Sequence, residues 1–441
     1  MAARLDRSRP RPETNPPKPR RRGAADAAAN SLAKTAVPPA AAPAARTGLL
    51  TGVAARASAA AQRAADLRAD LKAAKEVAHQ AQVREALTRS ELTLALTQAL
   101  AARAAADSAA RKQAAQRYLE TSQARPLRRR GRFARALERL LLRLGGWGQA
   151  QVIARAGIWR PAASVSIAAY VRRGADPTAE AATLFDQAWY LRAYPAAGAG
   201  VSPLAGHLVQ GAGSRQAPHP LVYPAYYEDQ NRTSLLASGV SVLEHFLHEG
   251  AARGRNPHPL FDIAHYVAQA PDLAPNEDPV SHYLRAGWRD GLSPHPLFDP
   301  AWYRRQMPRQ DAELAPLVHY LTVGGAQGLT PHPLFDPAWY LEQNPDVLEG
   351  GFEPLTHFVM AGAAEGRSPS PWFDARHYIA TRGAALDPGA NPLVDYLQGG
   401  AWAVGEARPG FPSAAYLAAS PELVGEGMTP LEHWARKGAK P

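Results

Sequence analysis

Apolar and aromatic positions recur at a nearly fixed spacing through the second half of the chain. The repeated motif is LFDPAWY, and its final tyrosine recurs at intervals of 37, 39, 37, 37, 38 and 38 residues. These tyrosines are Tyr190, Tyr227, Tyr266, Tyr303, Tyr340, Tyr378 and Tyr416. Such regular intervals are typical of stacked supersecondary units. The sequence therefore predicts an array of seven repeats over residues 184–441.

The first half of each repeat predicts a short helix. Asp336 provides an N-cap acceptor, and Pro337 suits the first helical position because it needs no N–H partner there. Phe335 and Tyr340 then stand at the spacing of a hydrophobic staple. Pro345 disfavours helical geometry in the residue before it, so we expect this helix to end after about two turns.

The second half of each repeat predicts another short helix, which begins at Pro354 and carries the apolar stripe Leu355, Phe358 and Val359. Gly362 is expected to end it in the left-handed conformation. Neither helix can bury its stripe alone, so the repeats must stack. The predicted fold is all-α, an α-solenoid of seven two-helix repeats.

The chain before the array shows a different pattern. Residues 1–48, rich in Pro, Arg and Ala, predict a disordered basic tail, and residues 49–124 predict one long Ala-rich helix. A candidate coiled-coil seam consists of Leu67, Leu71, Ala74, Ala78 and Ala81, continued by Leu92, Ala95, Ala99 and Ala102. Because the seam is mostly alanine, a weak homo-oligomeric coiled coil and a solitary solvated helix remain alternatives.

Residues 125–146 predict a basic amphipathic helix. Its apolar stripe comprises Phe133, Leu137, Leu140, Leu141 and Leu144. The arginines expected to contact an anionic surface are Arg128, Arg129, Arg130, Arg132, Arg135, Arg139 and Arg143. The stripe either enters the headgroup region of an anionic membrane or docks on the first repeat or on residues 147–183. Residues 147–183, which include Trp147, predict helices that cap the array at its N-terminal end.

The net charge of +11 is unevenly distributed. Residues 1–183 carry 33 Lys and Arg against 13 Asp and Glu, whereas residues 184–441 carry 17 against 26. Anionic lipid or nucleic acid would therefore meet the N-terminal part, and we favour lipid and protein partners over nucleic acid. The chain has no cysteine and no apolar run of membrane-spanning length. We expect a cytoplasmic protein, peripheral to the inner face of the plasma membrane.

Histidine is the residue type with the clearest chemical potential. His245, His282, His319, His357 and His433 recur in the second helix of the repeats, and His219, His258, His295 and His332 recur in the Pro-His-Pro junctions. Zinc needs ligands at about 2.1 Å, whereas equivalent residues of stacked helices lie about 10 Å apart. We therefore expect structural histidines that hydrogen-bond a loop, with pairing of helix and junction histidines as the alternative.

Other candidate chemistry is weak. Trp189, Trp302 and Trp339 could stack on sugar rings, but core packing is the preferred interpretation. The sequence contains no phosphate loop, no dinucleotide fingerprint, no HExxH and no nucleophile elbow. We predict no catalytic residue, no cofactor and no metal site.

The units LFDPAWYLEQNPDV…EPLTHFVMAGAAEGRSPSP and LFDPAWYRRQMP…APLVHYLTVGGAQGLTPHP resemble the tandem repeats beside glycosyltransferase domains in bacterial cell-surface polysaccharide biosynthesis proteins. The resemblance covers residues 184–441, with a weaker likeness at residues 118–141. It implies a non-catalytic interaction or scaffolding role in that machinery, because the family's catalytic residues have no counterparts here. The alternative is a divergent or truncated glycosyltransferase, or a subunit of one.

Overall fold

The computed structural model describes residues 43–160, 165–179, 181–182, 184–403, 406–420 and 423–438. The chain falls into two compact units, Met1–Val83 and Arg84–Pro441. Four helices precede the repeats: α1 Pro43–Thr121, α2 Arg132–Arg143, α3 Gly145–Ala156 and α4 Ile167–Arg173. Residues 1–42 of the predicted basic tail lie outside the described residues. Its last six residues, 43–48, belong to α1.

The repeats, numbered 1 to 7 after their tyrosines, each contribute two principal helices. The first helices are α5 Gln187–Ala193, α7 Pro224–Ser238, α9 Ile263–Val267, α11 Pro300–Arg304, α13 Pro337–Gln343, α16 Ala375–Arg382 and α18 Ser413–Ala419. The second helices are α6 Pro203–Gln210, α8 Val242–His245, α10 Pro279–His282, α12 Pro316–His319, α15 Pro354–His357, α17 Pro392–Leu397 and α20 Pro430–Arg436. Two extra short helices are α14 Pro345–Glu349 and α19 Leu423–Glu426. The fold is all-α, as the sequence predicts.

Shorter helical turns complete the repeats. Four second helices continue into a wide π-helical turn, at Phe246–Gly250, Tyr283–Gly287, Tyr320–Gly324 and Phe358–Gly362. Single 3₁₀ turns lie at Pro195–Gly198, Gly211–Gly213, Ala251–Arg253, Arg309–Asp311, Gly383–Ala385 and Gly400–Trp402. The repeat is thus two short α-helices with additional π-helical or 3₁₀ turns, rather than two plain α-helices.

The start of the first helix follows the prediction. The Asp336 side chain accepts a hydrogen bond from the backbone N–H of Trp339 at 3.1 Å, and four other repeats have the same aspartate cap. The staple is also confirmed, because the ring centroids of Phe335 and Tyr340 lie 5.5 Å apart. The matching pairs in repeats 1, 3, 4, 6 and 7 lie 4.9, 5.2, 5.2, 5.2 and 5.7 Å apart. Each cap and staple therefore fixes the entry of one repeat.

The predicted role of Gly362 is wrong. Gly362 lies within the π-helical turn, and the left-handed residue that follows this turn is Gly366, with φ of 69°. Glycine is required at position 362 because a Cβ there would lie 2.1 Å from the hydroxyl oxygen of Tyr340. The same contact recurs at Gly250, Gly287, Gly324 and Gly400. In these five repeats the glycine thus makes room for the tyrosine of its own repeat. The equivalent Gly211 and Gly438 of repeats 1 and 7 instead have positive φ, 71° and 70°.

Neighbouring repeats are joined by recurring hydrogen bonds. The backbone N–H of Asp299 donates to the carbonyl of Pro331 in the next junction at 2.9 Å, and five other repeats have an equivalent bond. The array also curls back on itself, since Arg436 of repeat 7 pairs with Asp299 of repeat 4. Repeats three positions apart are therefore in contact.

Helices α3 and α4 precede the array, and α4 packs on repeat 1. The Tyr170 hydroxyl accepts a hydrogen bond from the N–H of Leu204 at 3.3 Å, just as Tyr283 of repeat 3 accepts one from Leu317 of repeat 4 at 3.2 Å. Tyr170 thus occupies the place of a second-helix aromatic residue, and α4 is half a repeat. Trp147 is the exception to the predicted cap, because its side chain is exposed.

Within the second unit, α1 lies along the array. Leu100 is buried against Leu417 and Leu423 of repeat 7, and the Tyr118 hydroxyl donates to the carbonyl of Ala251 in repeat 2 at 3.0 Å. These contacts are 18 residues apart on the helix, or about 27 Å, so repeats 2 and 7 both meet a short length of α1. The tight curl of the array makes this possible.

The predicted seam of α1 is not the face that meets the array. Leu92, Ala95, Ala99 and Ala102 are exposed, and the face that meets the array carries Leu96, Leu100, Ala104, Arg111 and Tyr118. Leucine and alanine occur on every side of this helix, so their spacing does not single out one face. The seam residues Leu67, Leu71, Ala74, Ala78 and Ala81 are exposed as well.

Candidate functional site

The segment between α1 and α2 is extended and fastened to repeat 2. The N–H of Arg125 donates to the carbonyl of His248, and the N–H of Arg130 donates to the carbonyl of Ser238, both at 2.7 Å. Gly239 has φ of 68°, and a Cβ there would lie 2.4 Å from the carbonyl oxygen of Arg130. The left-handed glycine that ends α7 therefore lets this segment approach the array closely.

Arg130 is the anchor of α2. Its side chain is only 8% exposed. Its Nε lies 3.0 Å from Oε1 of Glu138 on α2, and its two terminal nitrogens bind the carboxylate of Glu244 on α8, with the Nη1 contact at 3.2 Å. Glu244 also forms a capping box with Ser241. One guanidinium thus joins α2 to repeat 2 through two carboxylates.

This buried cluster holds two carboxylates and one guanidinium. Burial raises the pKa of Glu244 to about 7, although the Arg130 charge lowers it, and burial likewise raises the pKa of Glu138. Two carboxylates that share one cation in a buried place disfavour full ionisation. Near neutral pH, a fraction of the molecules therefore carries a proton on one of these two carboxylates.

Helix α2 has three distinct faces. Glu138 and Leu141 lie on the face buried in the protein. A second face is apolar yet exposed, with Phe133 at 94%, Leu137 at 43%, Leu140 at 53% and Leu144 at 56% of their maximal accessibility. Residues three or four apart share a side of a helix, so these four form one stripe. We call them, with the adjacent 65% exposed Trp147 of α3, the apolar patch.

The third face of α2 is basic. Arg132, Arg139 and Arg143 are exposed on it, and Arg128 and Arg129 are exposed on the segment just before the helix. Arg135 is half-buried beside repeat 1. From Ser122 to Ala175 the chain has twelve arginines and one acidic residue, Glu138. Two of these arginines are paired, Arg130 with Glu138 and Arg173 with Asp176, whereas none of the salt bridges found within the described residues involves Arg132, Arg139 or Arg143. The apolar patch is therefore bordered by unopposed positive charge.

The structure changes three sequence predictions about this helix. It runs from Arg132 to Arg143, so the predicted start at residue 125 is wrong, and residues 122–131 are not helical. Arg130 cannot contact a membrane, because its guanidinium is buried between Glu138 and Glu244. The leucine stripe is also divided: Leu141 docks on the protein, and the rest of the stripe stays exposed. Trp147 and Glu244 were missed as parts of this site. Trp147 could have been recognised, because it is an isolated tryptophan that follows two glycines. Nothing in the sequence pairs Glu244 with Arg130.

The repeated tyrosines and histidines meet inside each repeat. The hydroxyl groups of Tyr227, Tyr266, Tyr303, Tyr340 and Tyr416 share hydrogen bonds with Nδ1 of His245, His282, His319, His357 and His433, at 2.8, 2.7, 2.7, 3.0 and 3.0 Å. In repeat 6 the Tyr378 hydroxyl donates to Asp395 at 2.6 Å instead. In repeat 1 the Tyr190 hydroxyl donates to Gln216 at 2.6 Å. Nδ1 of each of these five histidines is thus bonded to a tyrosine of the same repeat and not to a junction histidine. The predicted bond to a loop is present in repeat 3, where Nε2 of His282 lies 3.3 Å from Asp272.

Several of these pairs extend to a carboxylate. Nε2 of His282 lies 3.3 Å from Asp272, and Nε2 of His245 lies 3.5 Å from Glu249. A tyrosine, histidine and acid in series resemble a proton relay. However, in repeats 2 to 5 the tyrosine hydroxyl is packed against the glycine of its repeat, which leaves no room for a substrate atom there. The arrangement orders the repeat interior and offers no reaction site.

The junction histidines are buried and neutral. The backbone N–H of Leu297 donates to Nδ1 of His295 at 3.1 Å, and His219, His258 and His332 accept equivalent bonds. Burial lowers the pKa of His219 to about 4 and that of His258 and His295 to about 3. Each imidazole thus closes a junction turn as a neutral acceptor.

The remaining candidates are placed as follows. Trp189, Trp302 and Trp339 are half-buried, and the Trp302 indole donates to Thr330 at 2.8 Å. Across the described ranges no three His, Asp or Glu side chains converge as a metal site would require. None of the helices searched there is long and apolar enough to cross a bilayer. The surface of α2 is the feature that stands out.

Comparisons with known protein families, with curated proteins and with solved structures find no match for this chain.

Proposed function

We propose that this chain is a non-catalytic scaffold that docks on an anionic membrane surface through α2 and presents its repeat array to protein partners. The observation that carries the proposal is the exposed apolar patch of α2 beside its basic face. Monomeric proteins seldom leave several large apolar side chains exposed side by side without a partner for them. An interfacial helix combines these same two faces.

Charge favours lipid as the occupant of the patch. A second copy of the chain would bring the arginines of one α2 against those of the other, because the surrounding segment has twelve arginines and one buried acid. An anionic headgroup layer instead attracts each arginine by about 1 kcal/mol. Burial of the apolar patch adds to this attraction, at roughly 25 cal/mol for each Å² removed from water.

The rigidity of α2 supports the proposal further. Arg130, Glu138 and Glu244 fix the helix on repeat 2, so the patch is ordered before it meets a membrane. Less conformational entropy is then lost on docking than for a helix that folds on the surface. The acidic array, with 17 basic and 26 acidic residues, would be repelled by the same membrane and held away from it.

The assignment to bacterial surface-polysaccharide assembly, on the cytoplasmic side of the membrane, rests on the resemblance of the repeats alone. It predicts that the purified chain hydrolyses no nucleotide sugar above background. Hydrolysis of a nucleotide sugar that persists through further purification, and that is lost when a residue of the repeats is substituted, would favour the glycosyltransferase alternative. If the full-length protein still shifts a nucleic-acid probe in a gel at physiological salt, nucleic acid would be favoured over lipid.

Liposome flotation of the full-length protein tests membrane docking. We expect flotation with vesicles that contain phosphatidylglycerol, little with phosphatidylcholine alone, and a decline as salt is added. Leu137→Glu with Leu140→Glu should abolish it, since both side chains are exposed and can be changed without disturbing the fold. Leu141 is unsuitable for this purpose because it is buried.

The matched control is Leu314→Glu with Leu348→Glu. These leucines are similarly exposed, at 44% and 65%, but lie in the array, and the pair adds the same two negative charges. The control should float like the original protein. Equal flotation on neutral vesicles, or equal loss in both double variants, would contradict the proposal. Dimerisation in solution that only the α2 variant abolishes would assign the patch to a second copy instead.

A further inference from the structure

A cavity of about 470 Å³ lies where repeat 3 meets repeat 4. Its wall includes Trp288 from the end of repeat 3 and Arg304, Arg309 and Glu313 from repeat 4. This volume is within the range of small-molecule sites. The cavity is separate from α2 and plays no part in the proposed membrane docking.

The other repeats provide an internal comparison for the wall that repeat 3 contributes. The residue after the packed glycine is Trp288 here, whereas it is alanine or glycine in the others, at Ala212, Ala251, Gly325, Ala363 and Ala401. The next residue is Arg289, where the others have Gly213, Ala252, Ala326, Ala364 and Trp402. Repeat 3 thus replaces small residues by a large aromatic ring and a cation at consecutive positions.

The wall from repeat 4 departs from the common pattern too. The residue after the tyrosine is Arg304, where the others have Leu191, Glu228, Val267, Leu341, Ile379 and Leu417. The residue after the proline is Arg309, where equivalent positions carry Ala196, Asp272, Asp346 and Glu422. Four unusual residues, three of them arginines, therefore line one cavity in an array that is acidic overall.

Two of these arginines, Arg289 and Arg304, are held in place without ion pairs. Arg289 and Arg304 lie over the Trp288 ring, with their guanidinium carbons 4.2 and 5.0 Å from its centre. Arg304 also donates to the carbonyl of Trp288 at 2.9 Å, and Arg289 to that of Arg285 at 3.0 Å. No carboxylate within the described part of the chain forms a salt bridge with Arg289, Arg304 or Arg309.

Trp288 is a positioning residue in this arrangement. Its ring is only 4% exposed, so it orders the two guanidinium groups by cation–π contact instead of meeting a ligand itself. Ordered, unpaired guanidinium groups are strong receptors for phosphate and carboxylate. Glu313, on the same wall, is a hydrogen-bond acceptor that suits hydroxyl groups.

We propose that this cavity binds a small hydroxylated anion, in which a phosphate or carboxylate group meets Arg289, Arg304 and Arg309 and hydroxyl groups meet Glu313. A sugar phosphate and a sugar acid share this chemistry. A ligand bound there lies at the interface of repeats 3 and 4 and stabilises their contact by mass action.

Calorimetric titration of the full-length protein tests this proposal. The probes are glucose 1-phosphate and glucuronate, with glucose and inorganic phosphate as references. We expect Arg304→Leu and Arg309→Asp each to weaken binding about tenfold or more, because each removes a hydrogen bond to a charged group. Leucine and aspartate already stand at these positions in other repeats, so both variants should fold.

The matched control is Arg305→Ala, one residue further along α11. Arg305 is exposed but does not line the cavity, so affinity should change by less than about twofold. Binding that is equal in the original protein and in Arg304→Leu would overturn the site, as would no binding at millimolar probe. If inorganic phosphate binds as tightly as glucose 1-phosphate, the role assigned to Glu313 is wrong.

Discussion

The repeat array and helix α2 differ in which apolar and charged side chains they bury and which they expose. In the array each staple tyrosine lies in a ring cluster, and its hydroxyl has a partner within the same repeat. On α2, one buried cation serves two carboxylates, and the largest apolar side chains face solvent. The array buries its large side chains, whereas α2 leaves the apolar patch exposed.

This contrast separates stability from function in the chain. Regular repetition accounts for packing, because most repeats reproduce the same cap, staple and tyrosine pocket. The places that break the repetition are α2 before the array and the Trp288 cavity within it. Both carry unpaired arginines, which a self-sufficient fold does not require.

Tyr340→Ala should give the largest effect on the array. It removes a fully buried ring between Phe335 and Phe358, a truncation that typically costs about 3 to 5 kcal/mol. Tyr340→Phe keeps the ring and loses only the bond to His357, at about 1 kcal/mol. Chemical denaturation measures both. Similar losses for the two variants would show that the hydroxyl, and not the ring, stabilises the repeat.

Arg130→Met should be nearly as damaging at α2. It leaves Glu138 and Glu244 buried without a cation, which costs about 3 kcal/mol at pH 7. The loss should be smaller at pH 5, because burial raises the pKa of Glu244, removal of the Arg130 charge raises it further, and the variant therefore binds a proton more readily than the original protein. Arg139→Met is the exposed control and should change stability by under about 0.5 kcal/mol. A loss equal to that of the control would contradict the anchor.

His295→Ser should make the array less sensitive to acid. The unfolded histidine takes up a proton near its ordinary pKa of about 6.5, whereas burial lowers the folded pKa to about 3. The unfolded state therefore binds more protons between these values, and stability falls as pH drops below about 6.5. Serine already occupies the equivalent junction at Ser370.

The variant should lose about 2 kcal/mol less than the original protein between pH 7 and pH 5. Denaturation curves at the two pH values give this difference. An identical loss in the variant would mean that His295 does not remain neutral in the folded state.

Added zinc should have the smallest effect. Nδ1 of His319 is engaged by Tyr303 at 2.7 Å, and its ring is fully buried. A metal specific for the folded state must raise the melting temperature by mass action, and we expect no change. A zinc-dependent rise that His319→Ala abolishes would show that the histidines do bind metal.

The repeat fold could be predicted from the sequence because its determinants are local. The Asp336 cap and the Phe335 and Tyr340 staple depend on residues within one turn, and the structure confirms them. Gly362 was misinterpreted because glycine is compatible both with a left-handed helix end and with close packing. Only the position of the Tyr340 hydroxyl decides between these.

The candidate sites could be predicted only in part. The periodicity of α2 indicated an amphipathic helix, but the partner of Arg130 is Glu244, 114 residues away, and no spacing rule connects them. The stripe was divided because Leu141 alone turns toward the protein. The Trp288 cavity required knowledge of which ends of repeats 3 and 4 meet. Tertiary contacts, rather than local preference, determine these features.

The most direct test of membrane docking uses the absence of cysteine from the chain. A single Phe133→Cys variant can carry an environment-sensitive dye in the apolar patch, and Leu348→Cys can carry the same dye on an exposed leucine position of the array. We expect a blue shift at position 133 on anionic vesicles and none at position 348. A shift of equal size at both positions, or none at position 133, would contradict membrane docking through α2.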